Sequence, residues 1–221
     1  MRASQIKISL SLAVMLAASA LLYFQIYGLT PKVEARPHVA LGEALAGVAM
    51  KQAAGGGRIS VIAPDIAFFE YPGVEIQLRA FHRVLRQAGV SVAGTNLIRL
   101  DPLRLSRVPP GDFVEILRKR TETDVVVSFL GLSELTPENR ARLPEKRPHV
   151  IAVCSGDTPR QVNLKSLFDE RVLETAVISR PNPPLSPPSS DNSPVWFDAY
   201  FLLVTAGNLA DLPAGSAGLQ P

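Results

Sequence analysis

The chain has 221 residues, 47% hydrophobic and 19% charged, with a net charge of +3. Residues 1–36 hold four basic residues and one acidic residue, leaving nineteen of each sign in the remainder, so nucleic-acid binding through a basic face is excluded. The single cysteine, Cys154, excludes an intramolecular disulfide and a lipid-modified cysteine after the N-terminal apolar run.

That run, Ile8 to Leu29, is twenty-two residues without a charge. At about 1.5 Å per residue it spans the ~30 Å hydrocarbon core of a bilayer. Arg2 and Lys7 precede it, and Tyr23, Phe24 and Tyr27 cluster at its far end, where aromatic rings favour the membrane interface. The expectation is a retained N-terminal transmembrane helix within a membrane-anchor region 1–36. The following domain then lies on the extracytoplasmic side of a single-pass membrane protein. A signal peptide cleaved near Val33-Glu34-Ala35 is the competing reading.

From Pro37 to Ala53 the sequence is rich in Ala and Leu, and Val39, Leu41, Leu45, Val48 and Ala49 fall on one helical face. With Gly55-Gly56-Gly57 after it, the segment 37–57 reads as a helical stalk and glycine linker. The glycines lack the Lys-Ser/Thr ending of a phosphate loop.

A domain is expected over 58–212. RISVIA, Arg58 to Ala63, is a β-branched strand. Pro72 opens a helix in which Val74, Leu78, Phe81, Leu85 and Ala88 recur at helical spacing, closed by Gly89. Val90 to Ile98 reads as a strand, Asp112 to Arg120 as a helix, and the apolar Asp124 to Leu130 as a central parallel strand covered on both faces. A short helix begins at Thr136-Pro137, followed by strand His149 to Cys154, helix Val162 to Val172 and strand Glu174 to Ser179. The segment 181–194 is a Pro-rich loop, Trp196 to Thr205 reads as a last strand, and 213–221 as a disordered tail. The alternation predicts a doubly wound α/β fold: a mostly parallel sheet of five to six strands in three layers.

The order of these elements, with the helix ending Arg86-Gln87-Ala88-Gly89, the strand at Val90 and the run Arg147-Pro148-His149-Val150-Ile151-Ala152-Val153, resembles one lobe of the type 1 periplasmic sugar-binding proteins. The pattern covers about 120 residues and is shared with flavodoxin-like folds. The family has two lobes joined by a hinge, and this chain has room for one. The resemblance therefore implies a fold and carries over no binding residue.

In an open α/β sheet, ligands bind beyond the carboxyl ends of the strands. That rule makes Asp65, Cys154, Ser155 and Asp157 the candidate ligand-binding residues. Asp65 has a simpler reading as the cap of its own turn, and Cys154, ending an apolar strand, as an inert core thiol. His38, His82 and His149 have no partners at metal-ligand spacing, and no metal or cofactor is expected. The chain thus reads as a membrane-tethered, non-enzymatic module binding a partner protein or a small ligand, against the alternative of a small anchored enzyme working at the strand carboxyl ends.

Overall fold

The computed structural model describes residues 13–23, 33–67, 71–100, 107–155 and 162–212. The chain divides into two units, Met1–Glu34 and Ala35–Pro221. In the first, residues 13–23 are helical and exposed. The rest of the apolar run, 8–12 and 24–29, lies outside the described residues, as do Asp157 and the tail 213–221. Among the described residues no helix is long and apolar enough to cross a membrane.

The second unit is an α/β sandwich. Its helices are α1 (Ala35–Gln52), α2 (Pro72–Gln87), α3 (Pro110–Arg118), α4 (Pro137–Ala141), α5 (Leu164–Asp169) and α6 (Ser193–Tyr200). Its strands are β1 (Ile59–Pro64), β2 (Val92–Ile98), β3 (Arg107–Val108), β4 (Val125–Ser128), β5 (Gly131–Leu132), β6 (His149–Val153), β7 (Thr175–Ser179) and β8 (Phe201–Val204). Six strands form one sheet in the order β2-β1-β4-β6-β7-β8, and β3 and β5 form a separate pair. All pairings are parallel except β7 with β8.

Side chains alternate across the sheet, because successive strand residues point to opposite faces. Ile59, Val61, Ala63, Val125, Val127, Ile151, Val153 and Val177 pack beneath α1 and α2 with Leu41, Leu45, Phe81 and Leu85. Ile62, Val126, Val150, Ala152, Cys154, Ala176 and Ile178 pack beneath α3 and α5 with Phe113, Leu117, Leu167 and Phe168. Two apolar faces require two covering layers, which is why these strands read as unbroken apolar runs.

The largest departure from the sequence reading is α1. The segment expected as a stalk buries Ala40, Leu41, Leu45, Ala46 and Ala49 in the core of the domain. Its helical face was legible, but the spacing alone does not tell which surface it covers. α1 lies tightly against α2: a Cβ on Gly42 would come within 2.2 Å of the Gln77 carbonyl oxygen and 2.9 Å of the Ala80 Cβ. Gln77 Nε2 and His38 Nδ1 are 2.9 Å apart across the same seam, and burial lowers the His38 pKa. Of the expected glycine linker, Gly55 ends a 3₁₀ turn, Ala53–Gly55, Gly56 caps it in the left-handed region at φ 89°, and β1 begins at Ile59. The second correction is at the C-terminus: Ser193–Tyr200 is a helix and only Phe201–Val204 is strand. Pro194 sits in its first turn, and Trp196 is buried with Nε1 donating to the Ser190 carbonyl at 2.6 Å. A buried indole with a satisfied N–H fixes the helix where β-propensity favours a strand.

Candidate functional site

Because β1 is flanked by β2 and β4, the chain reverses its direction of growth between β1 and β4, and their carboxyl ends mark the switch point where the general rule expects a ligand. The polar groups there are engaged locally. Asp65 donates its N–H to the Ile98 carbonyl at 2.8 Å, and its Oδ1 accepts from Ala67 N at 3.1 Å, an Asx turn. Ser128 Oγ donates to the Leu130 carbonyl at 2.6 Å and accepts from Leu130 N at 3.3 Å.

Cys154 is wholly buried. Burial pushes its thiol up to about 12, against an opposing hydrogen bond with the Leu132 backbone. Both burial and the raised pKa disfavour the thiolate that a nucleophilic cysteine needs. Ser155 follows it, half-buried, and Asp157 lies outside the described residues. β4 lies between β1 and β6, so at about 4.8 Å per strand Asp65 and Cys154 emerge roughly 10 Å apart and share no hydrogen bond.

The segment after β4 is apolar and folded. Phe129, Leu130, Leu132 and Leu135 are buried, and β5 pairs with β3. Ser133 Oγ closes the pair by donating to the Val108 carbonyl at 2.9 Å.

At the opposite edge, where β6 and β7 begin, a cleft of about 540 Å³ is lined by residues from 145–150 and 168–174 together with Glu122 and Ala206. Lys146 Nζ pairs with Glu122 Oε1 at 3.0 Å, and His149 Nδ1 is in contact with Glu174 Oε2. Arg147 is held by its Nε donating to the Pro144 carbonyl at 2.9 Å. Glu170 is held by Arg140 at 3.0 Å and by Ser166 Oγ at 2.6 Å.

Arg171 stands in the left-handed region at φ 54°. Its N–H reaches the Phe168 carbonyl and the Val172 N–H that of Leu167, both at 2.9 Å, so Arg171 ends α5 where glycine is the usual residue. Three cations, Lys146, Arg147 and Arg171, thus line one concavity together with four carboxylates, Glu122, Glu145, Glu170 and Glu174. The sequence reading missed this cleft. Its ion pairs join residues twenty-four and twenty-five positions apart, and it is the parallel pairing of β4 with β6 that brings Glu122 to Lys146, and of β6 with β7 that brings His149 to Glu174.

His82 is half-buried edge-on to Phe81 at 5.7 Å, and burial followed by Arg86 lowers its pKa. Among the described residues no group of three or more His, Cys, Asp or Glu is placed to hold a metal ion.

No family model matches the sequence, and no curated protein does. Solved structures do match. An arabinose-binding protein from Geobacillus stearothermophilus superposes with a TM-score of 0.50 at 14% identity, covering 80% of this chain and 63% of that one. A solute-binding protein from Burkholderia graminis, solved with D-arabinose, gives 0.47 at 15% identity, covering 78% and 61%. A glucose-galactose-binding protein from Geobacillus stearothermophilus gives 0.41 at 9% identity, covering 64% and 47%. The chain spans less than two thirds of the length of these proteins. At such identity the likeness is one of fold: the chain has the α/β architecture of the type 1 periplasmic sugar-binding proteins.

Proposed function

We propose that this protein is a membrane-tethered, non-enzymatic module whose α/β domain, held outside the cytoplasm by residues 8–29, binds a small ligand or a partner protein in the cleft at the amino ends of β6 and β7. The observation that carries the reading is the contrast between the two edges. At the carboxyl edge Asp65, Ser128 and Cys154 are engaged in local structure or buried. The amino edge offers a concavity with donors and acceptors already positioned. Its three cations and four carboxylates line the cleft together, and carboxylate acceptors beside guanidinium donors suit a neutral, hydroxylated molecule. The sugars bound by proteins of this fold belong to that chemical class.

D-arabinose is the first probe, titrated calorimetrically into the full-length protein in detergent. Saturable binding with the sugar recovered unchanged, weakened at least tenfold by Arg171→Ala and by Glu174→Gln, is the expected result. Failure of a panel of pentoses and hexoses, with cross-links from Lys146 or Arg171 to a stoichiometric protein, selects the partner-protein arm of the proposal. Chemical conversion of the sugar would overturn the non-enzymatic reading and favour the anchored enzyme.

A further inference from the structure

We infer that the strand-carboxyl edge of the domain lies against the surface of the bilayer, with Ile66, Leu97, Leu185 and Val195 set into its headgroup region. The inference rests on the tether proposed above and adds which face of the domain the membrane covers.

The direction of α1 is the first observation. His38 lies against Gly73 and Gln77, Gly42 against Gln77 and Ala80, and Glu43 pairs with Arg83, so α1 and α2 run parallel. α2 follows β1 and begins at the carboxyl edge of the sheet. At its other end α1 brings Gln52 Nε2 within 3.1 Å of Thr175 Oγ1, at the start of β7. Ala35, where the chain enters the domain, therefore stands at the carboxyl edge.

Chain length is the second. Five residues separate Leu29 from Ala35, and fully extended they span about 20 Å. An edge held on so short a leash stays within reach of the interface.

The third is where apolar surface is left uncovered. Among the described residues from 35 to 212, the exposed large apolar side chains are Ile66 (47%), Leu97 (61%), Leu185 (106%) and Val195 (41%). Ile66 follows β1, Leu97 is next to last in β2, and Leu185 lies in the connection leaving β7. Val195 is beside Trp196, whose ring carries the Arg36 guanidinium at 5.2 Å, next to the entry point. All four thus gather at the edge where the tether joins. Every exposed large apolar side chain of the described domain thus belongs to one edge, which makes that edge the one suited to an apolar contact. Here the chain itself supplies a surface within reach, and apolar side chains flanked by arginine suit a bilayer interface.

The test uses the full chain reconstituted into vesicles of phosphatidylcholine and phosphatidylglycerol, with spin labels on Ile66→Cys, Leu97→Cys and Leu185→Cys, and on Gly89→Cys and Glu145→Cys as amino-edge references. Cys154 is buried and the unsubstituted chain serves as the unlabelled control. Thermal unfolding of each labelled variant verifies the fold. In vesicles that float with the protein, carboxyl-edge labels are expected to be several-fold more accessible to oxygen than to a water-soluble nickel complex, and reference labels the reverse. Floating protein whose carboxyl-edge labels are as aqueous as the references would overturn the inference and leave the tether standing. Labels shielded from both relaxants would overturn it in favour of a protein contact. Protein that does not float would remove the tether and this inference with it.

Discussion

Phe81 sits fully buried in the seam between α2 and the sheet, edge-on to the Phe129 ring at 5.4 Å. Its neighbour His82 is only half-buried. Phe81→Ala is expected to cost ~3–5 kcal/mol in urea unfolding, and His82→Ala much less. Equal losses would mean that the helix face is misassigned. The pattern Val74, Leu78, Phe81, Leu85 made this face legible, because i, i+3 and i+4 positions share one side of a helix.

Asp124 was not singled out in the sequence. Its carboxylate is 2% exposed and accepts from Arg58 N, from the Arg58 guanidinium and from Thr121 N. Burial alone would raise its pKa, and these donors more than offset that, holding it well below its ordinary value of 3.8. The stabilisation is fully present above that ordinary value and is lost as the pH falls below it towards the folded-state value. Acid titration of stability should therefore fall steeply below about pH 4 in the natural chain. Asp124→Asn should cost about 1.5–3 kcal/mol at neutral pH and flatten that acid limb. An acid limb unchanged by the substitution would mean that Asp124 is not the group responsible.

At the scale of elements, what the sequence disclosed depended on whether local pattern and tertiary partner agree. β4 and β6 were legible because a strand covered on both faces must be apolar throughout. α5 was placed but read too long, as 162–172 against Leu164–Asp169, because Asn163 Oδ1 caps it by accepting from Ser166 N at 3.0 Å and it ends before Arg171. α6 was misread because its aromatic residues favour strands, and only Pro194 in its first turn argued for a helix.

The pairing of α1 with α2 was illegible because it depends on a close approach at one residue, Gly42. Gly42→Ala tests that approach. Helix propensity favours alanine by about 1 kcal/mol, but the new Cβ would press on the Gln77 carbonyl, and overpacking typically costs 1–3 kcal/mol. The variant is expected to be less stable than the natural chain by thermal unfolding. A stabilised variant would show that the seam has slack.

For the whole molecule, the inclusion of α1 changes where the domain begins. A chain starting at Gly57 lacks Leu41, Leu45, Ala46 and Ala49 and leaves the apolar face of Ile59, Val61, Val125 and Val127 open. It should expose hydrophobic surface and unfold without a cooperative transition, while a chain starting at Ala35 should unfold cooperatively. Cooperative unfolding of both would return 37–57 to the role of a stalk. The candidate site divides in the same way. The carboxyl-edge residues were readable as the ends of strands, but whether they are available for binding depends on turns and burial that only the fold discloses. The amino-edge cleft left no sequence signature, since each of its ion pairs consists of ordinary surface residues until the strands align. Membrane tethering by residues 8–29 is the central claim. Alkaline carbonate extraction of cell membranes, with the N-terminus of the extracted protein sequenced, is the most direct measurement: the account predicts full-length protein in the pellet, and a soluble species beginning near Arg36 would contradict it.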